Sequence, residues 1–559
     1  MRKLVLLSLA LLACGSTGSS PDGGADASNN DASSPVDAQS PGDAGDGAAP
    51  LAARCVQVAS DPQIKQALPT ATVDVTMPVL AGKHTPVKSG DDLQAAIDAA
   101  QPGDTLELEA GATFTGPFTL RAKTGSDWIV IRTATPDEQF AAPGTRVSPA
   151  LAPKMAKIVA SSTPITVEKG AGHYRLIGLE VTATAGKYIN SAIDLTVQTT
   201  SDADLAHDIV IDRVYLHGDP IGARRGVALN AKSSAVIDSY IAGFREQGAD
   251  SQAIAGWTGP GPYLVANDYL EGASENIMFG GSDPSIQNLV PSDIEICGNY
   301  MKKDVAWMGG GWVVKNLFEL KNAHRVLATG NVLEYNWADG QVGFAVLLTP
   351  RNQDGAAPWS GVEDVTFAYN IVRHTGSGFN ALNSDNDNPS QGLARALVQN
   401  NLWDDIDSTK YGGQGRDFQY VYGAPGGTDL KIDHNTSTMA QNASFTLGDT
   451  AKYGANTIFT NNIVAHGSYG VFGGGQGEGK VALDYYLTSY AFDHDAIFGG
   501  GNSTAYPTGN FFPASQADVG FATDWSLTSA SPYKNAGSDG KDLGADIAGV
   551  LAATKGVAQ

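Results

Sequence analysis

The sequence predicts an all-β chain wound as a single-stranded right-handed parallel β-helix, a solenoid with an N-terminal capping helix. Three observations carry this. Asparagine or aspartate recurs in nine similar settings, at Asp212, Asp238, Asn267, Asn299, Asn331, Asn370, Asn401, Asn435 and Asn462, at intervals of 26, 29, 32, 32, 39, 31, 34 and 27 residues. Between these anchors lie short β-branched and aromatic runs, such as His207–Ile211 and Asp364–Tyr369, separated by Gly, Asn, Asp and Ser, with no amphipathic helix among them. One short amphipathic helix precedes the first strand and none follows it within the repeats.

The elements follow in chain order. Residues 1–13 form a secretory signal: Met1-Arg2-Lys3, then an apolar run from Leu4 to Ala13. Leu11-Leu12-Ala13-Cys14 resembles the bacterial lipobox, which implies cleavage before Cys14 and its lipidation. Gly15, rather than aspartate, at the next position implies the outer membrane. Residues 14–50 then make an acidic tether of Gly, Ala, Ser, Asp and Pro without Lys or Arg, a composition that cannot bury a core. Residues 51–88 read as an irregular N-terminal segment lying along the coils, and residues 89–559 as the β-helix. Within the latter, Ser89–Ala100 is a capped helix with Leu93, Ala96, Ile97 and Ala100 on one face, suited to covering the open end of a solenoid. Each coil then holds three short strands and three turns. Stacking at about 4.8 Å sets each anchor amide above the last, where it donates to one neighbour and accepts from the other. Residues Ser531–Gly537 and Asp542–Asp546 read as an irregular closing segment.

A net charge of −23 and a pI near 4.6 argue against a nucleic-acid partner and suit an extracytoplasmic protein, expected as a monomer. Beyond Cys14 only Cys55 and Cys297 remain; they either pair in an oxidising compartment or leave Cys297 as a small buried residue. Asn383–Asn388, with alternating acids, lacks the glycine and distal glutamate of an EF-hand and reads as a polar loop.

The chemistry is sought on outward strand positions of neighbouring coils. In Lys315–Asn322, alternation turns Phe318 and Leu320 inward and Glu319 and Lys321 outward. Arg351 follows Lys321 by 30 residues, about one coil, so the two cations stack. Preceding coils supply Arg225, Asp250, Gln252, Glu275 and Asn276. From Met301 to Gly330 five cations face two acids, a locally basic surface in an acidic protein, which fits an anionic ligand. Trp312 and Trp337 are candidate sugar-stacking platforms, as are their neighbours Trp257, Trp307 and Trp359.

This pattern suits β-elimination from a uronic acid. The carboxylate must be neutralised by calcium or arginine, and a base must take the adjacent proton. Glu319, Glu275 and Asp250 are the candidate calcium ligands. Lys321–Asn331 (Lys-Asn-Ala-His-Arg-Val-Leu-Ala-Thr-Gly-Asn) resembles the Lys-Ser…Gly-Asn motif of the chondroitinase B and alginate lyase family of β-helix lyases. Gln101–Asp104, Gly116–Phe118 and Trp128–Ile131 resemble that family's first coil. The resemblance covers about residues 86–545, and its catalytic part about thirty. It implies Lys321 as base, Arg351 as acid or carboxylate clamp, and an acidic polysaccharide as partner. Two departures stand out: Arg351-Asn352-Gln353 replaces the family's Arg-His-Gly, and Asn316 stands where the family has a calcium-binding acid. The alternatives are a β-helix glycoside hydrolase using a carboxylate pair such as Asp250 and Glu275, or a non-catalytic surface glycan-binding protein or adhesin.

Overall fold

The computed structural model describes residues 55–422 and 427–559. The signal, the Cys14 lipidation site and the tether lie outside these residues.

Three parallel sheets of 14, 12 and 13 strands extend from His84 to Phe498, and each coil gives one strand to each sheet in turn. In one coil these are Ser292–Cys297, Tyr300–Lys302 and Asn316–Leu320; in the next, Ala323–Thr329, Val332–Asn336 and Phe344–Leu348. The register is direct: Ile277 pairs with Phe318, Phe318 with Val346, and Val346 with Phe379. These inward residues form one continuous apolar core along the solenoid. The capping helix spans Leu93–Ala99; Asp92 caps it by accepting from the Ala95 amide, and Leu93 and Ile97 are buried.

The turn between the first and third sheets carries the amide ladder. The Asn331 backbone N–H and Nδ2 both donate to Asn370 Oδ1 (2.9 and 3.0 Å), and Asn370 repeats this to Asn401 (both 3.0 Å). Each Nδ2 also reaches a carbonyl of the coil before, as Asn370 reaches Ala328. In three early coils the ladder runs two residues or one beyond the sequence anchors. Val214 occupies its level instead of Asp212, Ser239 instead of Asp238, and Asp268 instead of Asn267. The residue just before each ladder position is left-handed, as at Asp238 (φ 55°), Asn267 (φ 60°), Gly298 (φ 64°) and Asn400 (φ 53°). Asn and Asp are favoured there too, so residue type alone does not separate the two positions.

Asp495 is the ladder's one late carboxylate among the described residues, accepting from the Asn462 N–H and Nδ2 at 2.9 Å through Oδ1 and donating its own N–H to Asn510 Oδ1 at 2.9 Å, while its buried Oδ2 has no partner. Burial, with Asp433 and Asp493 nearby, pushes its carboxyl well above the usual range. A neutral carboxyl imitates an amide, one oxygen accepting and the other able to donate. Because the folded pKa is raised, the folded state holds a proton that the unfolded state releases. Stability therefore falls as pH rises from about 4 towards the folded pKa. Asp495→Asn is expected to stabilise the protein by about 1–3 kcal/mol at about pH 8 and to be neutral near about pH 4. Thermal unfolding at the two pH values checks this.

Both ends of the described residues lie along the solenoid. Cys55 is disulfide-bonded to Cys297. From there the chain passes to Lys431, which pairs with Asp61 at 2.7 Å, and Ile64 packs in a cluster with Leu397 and Ile458. It then doubles back: Ala67 N–H donates to Asp364, Thr70 to Asp293, and Arg175 donates to the Val75 carbonyl. The C-terminal helix Ile547–Ala553 joins a cluster with Val332, Ile371 and Leu402, and Arg146 donates to the Val557 carbonyl. The disulfide joins residues 242 apart in sequence. Cys55→Ser is expected to cost about 2–5 kcal/mol, read as a lower midpoint in denaturant.

Candidate active site on the second sheet

Outward positions of the second sheet form two rows. In the first, Arg225 pairs with Gln252, Gln252 with Glu275, and Glu275 with Asn316. In the second, Met278 pairs with Glu319 and Glu319 with Leu347. Three residues, not two, separate the rows, because two successive residues face inward between them. Ile277 is in the core, and Asn276 also points inside, its Nδ2 donating to the Leu270 and Lys302 carbonyls at 2.7 Å. The expected substrate contact at Asn276 is thus corrected: its Oδ1 instead accepts from Lys303 Nζ at 3.0 Å.

Lys303 is fully buried within the coil and also donates to the Gly272, Ser274 and Asn316 carbonyls (2.8–3.2 Å). Burial drives its ammonium pKa down, and Glu275 opposes the shift. Burial drives Glu275 the other way, upward, helped by Asp250 and opposed by Lys315 and Lys321. Gln252 donates to Glu275 Oε2 at 2.7 Å, whereas Oε1 is buried without a hydrogen-bond partner. Lys315 Nζ lies 3.9 Å from that oxygen and 2.5 Å from Asp250 Oδ2. Burial works against the Lys315 charge, but Glu275 and Asp250 outweigh it and hold its pKa above the ordinary value.

The outward placement of Glu319 and Lys321 is as alternation predicts, with Phe318 and Leu320 in the core. Lys321 Nζ stands 3.6 Å from Glu319 Oε2, which also accepts from Asn316 Nδ2 at 2.9 Å; Thr349 donates to Oε1 at 2.9 Å. Gly280 (φ 92°) and Gly281 (φ 81°) make room for this lysine: a Cβ on Gly280 would fall 2.9 Å from Lys321 Cβ. Arg351 sits directly on Lys321 in the next coil, its N–H donating to the Lys321 carbonyl at 2.8 Å. Its guanidinium is held by Asp385 at 2.9 Å and by Asn386, from the Asn383–Asn388 loop one coil further on.

Two further expectations need correction, those on Trp337 and on the basic stretch. Trp337 is buried in a small cluster with Trp307 and Val314, plugging the turn between the third and second sheets, so it offers no sugar platform. Trp312 lies against Arg245, whose guanidinium carbon is 4.9 Å from the ring centroid. The basic character of 301–330 is largely spent elsewhere: Lys303 is internal, Lys302 lies on the third sheet over the Tyr335 ring, and Arg325 pairs with Asp293 on the first sheet. That leaves Lys315 and Lys321 here, joined by Arg351 and, three coils before Asn316, by Arg225. Arg225 Nε donates to Gln252 Oε1 at 2.8 Å and its guanidinium covers Trp257. Lys315, counted from sequence only as charge, is the central cation; no local signal ties it to Asp250, 65 residues earlier.

Asp250, Glu275 and Glu319 do not converge as a metal-binding triad among the described residues, because Lys315 engages Asp250. A contiguous oxygen set exists nonetheless. Glu275 and Asn316 are ladder neighbours, Asn316 bonds Glu319, and Glu275 Oε1 and Asn316 Oδ1 are both buried without hydrogen-bond partners. Two orphaned oxygens beside a carboxylate fit a hard divalent cation.

No family model and no curated protein matches this chain. Solved structures similar to it include the PL6 family alginate lyase AlyGC, at 12% identity over 83% of this chain and 58% of that one, with a TM-score of 0.43. A mannuronic acid specific polysaccharide family 6 lyase from human gut microbiota matches at 13% identity over 77% and 82%, TM-score 0.37. An alginate lyase from Paenibacillus sp. str. FPU-7 matches at 13% over 73% and 99%, TM-score 0.27. The parallel β-helix is established by the strand register itself.

Proposed function

We propose that this protein is a polysaccharide lyase that cleaves a uronate-containing polysaccharide by β-elimination. The observation that carries the reading is the stacking of Lys321 and Arg351 on consecutive coils, beside the oxygen set of Glu275, Asn316 and Glu319. The substrate lies across the second sheet, with its uronate carboxylate towards that set and Lys315. Glu275, Asn316 and Glu319 would hold a calcium ion, which when bound neutralises the substrate carboxylate. Lys321 Nζ takes the proton from the carbon bearing the carboxylate. The electron pair forms the new carbon–carbon double bond, and the bond from the β-carbon to the glycosidic oxygen breaks. Arg351, oriented by Asp385, hydrogen-bonds the departing oxygen and stabilises its charge until it takes a proton from solvent water. Anchoring to the outer membrane through lipidated Cys14 belongs to the same proposal.

A glycoside hydrolase is favoured by one observation, the upward shift of buried Glu275, which suits a general acid. Against it, Asp250 is tied to Lys315 at 2.5 Å and is not free to act as base. A panel of acidic polysaccharides separates the two. A rise in ultraviolet absorbance from unsaturated uronate supports the lyase, and new reducing ends without that absorbance support the hydrolase. Neither product would leave a glycan-binding surface. Sensitivity of the absorbance to a calcium chelator reports on the cation.

A further inference from the structure

On the first sheet, away from the second-sheet residues, His207 pairs with Gly172 and Ile209 with Tyr174, which sets Asp208 beside His173 on the next coil. Both are left-handed, at φ 58° and 50°. The same outward kink recurs at Ser233, Asp293, Arg325, Asp364 and Arg395. Higher in this column two acids are neutralised by an arginine of the following coil, Arg325 by two bonds to Asp293 (2.7 and 2.8 Å) and Arg395 by two to Asp364 (2.6 and 2.9 Å), and a third, Asp429, accepts from Asn456 of the following coil at 2.7 Å. Asp208 has no such partner above it, because the following coil offers Ser233. Its ionic partners among the described residues are His207 Nδ1 at 2.7 Å and His173 Nδ1 at 3.9 Å. His173 Nδ1 is shielded from solvent and has no hydrogen-bond partner. The neighbouring cation, Lys232, is drawn away to Asp202, donating to its carbonyl at 2.8 Å.

One ligand atom from each of His173, His207 and Asp208 lies within 4.8 Å of the others. The imidazoles are braced edge-on, His173 against His207 at 5.2 Å and against Trp128 at 5.8 Å between centroids. All three side chains remain 22–33% exposed, so an ion could enter and keep water ligands.

We propose that His173, His207 and Asp208 bind a divalent transition metal ion of the zinc type, stapling two coils near the N-terminal end of the solenoid. Two imidazole nitrogens and a carboxylate oxygen are a borderline-soft donor set suited to zinc rather than calcium. Tetrahedral coordination requires the donors to close to roughly 3.4 Å, within reach of side-chain rotation on a fixed ladder. The ion would replace the His207–Asp208 hydrogen bond and give His173 Nδ1 its missing partner.

The test is calorimetric titration of the metal-free full chain with zinc, alongside His207→Ala, Asp208→Asn and a distant control, His434→Ala. The expected result is one zinc per chain, with affinity falling roughly tenfold or more in the first two variants and unchanged in the control. Cobalt(II) in place of zinc should quench Trp128 fluorescence in the wild type. The proposal is overturned if no stoichiometric zinc binds, or if it binds equally well to both site variants. Should His207→Ala fail to fold, the isosteric Asp208→Asn decides.

Discussion

Lys321→Ala is expected to lower kcat for uronate elimination by about 10²–10⁴-fold while leaving KM near its wild-type value. The argument rests on what the side chain touches. Lys321 makes one ion pair, at 3.6 Å to Glu319, and its stem lies against Gly281. It carries no hydrogen bond on which a strand depends, so its loss should spare the fold. Its terminal nitrogen, as the free amine, has a lone pair for the substrate proton, and proton transfer acts in the transition state rather than on ground-state binding. Lys321→Arg, which keeps the charge but not a usable base, should be nearly as slow. Arg351→Ala should also be slow, and the double variant should lose less than the product of the two single losses, because stacked groups serving one transition state are not additive. Initial rates by ultraviolet absorbance measure all four proteins. A Lys321→Ala enzyme retaining more than about a tenth of wild-type kcat would move the base elsewhere, with Lys315 the next residue to test.

Asn370→Ala carries the largest expected loss of stability, about 3–5 kcal/mol. The Asn370 amide accepts from the Asn331 N–H and Nδ2 and donates to the Ala328 carbonyl and Asn401 Oδ1. Truncation strips a partner from buried groups on the coil before, at Ala328 and Asn331, and on the coil after, at Asn401. Asn370→Asp keeps the acceptor but regains the donor only when protonated. It should approach wild type at about pH 4 and weaken as pH rises, because burial raises the folded pKa above the unfolded one. Hydrogen exchange locates the damage: the amides of Asn331 and Asn370 should lose protection before those of the N-terminal coils. A loss below about 1 kcal/mol would mean that the ladder contributes little.

The fold was legible because its signal repeats: the asparagine column, the short strand runs and the single helix each state the same architecture. The ladder was misplaced in the coils of Asp238 and Asn267, where left-handed turn and ladder sit side by side and favour the same residues, and in the coil of Asp212, where Arg213 and Val214 fill those two positions and the carboxylate instead pairs with Arg175. In the candidate site, Glu319 and Lys321 were legible because strict alternation holds from Phe318 onward. Asn276 was not, since the consecutive inward residues Asn276 and Ile277 break that period. Lys303 was read as surface charge, because a lysine satisfied by three carbonyls and one amide looks no different in sequence from a solvated one. The Lys315–Asp250 pair depends on loop lengths that the sequence does not encode locally.

The doubled-back segment from Cys55 to Thr76 also bears on the timing of assembly. Its berths are spread over coils that contain Arg175, Asp293, Cys297, Asp364, Lys431 and Ile458. This stretch leaves the ribosome before any of them, yet it cannot settle until the coil bearing Ile458 exists. Its last contacts, with Lys431 and Ile458, therefore form only once those late coils are wound, and the Cys55–Cys297 bond then holds the segment in place.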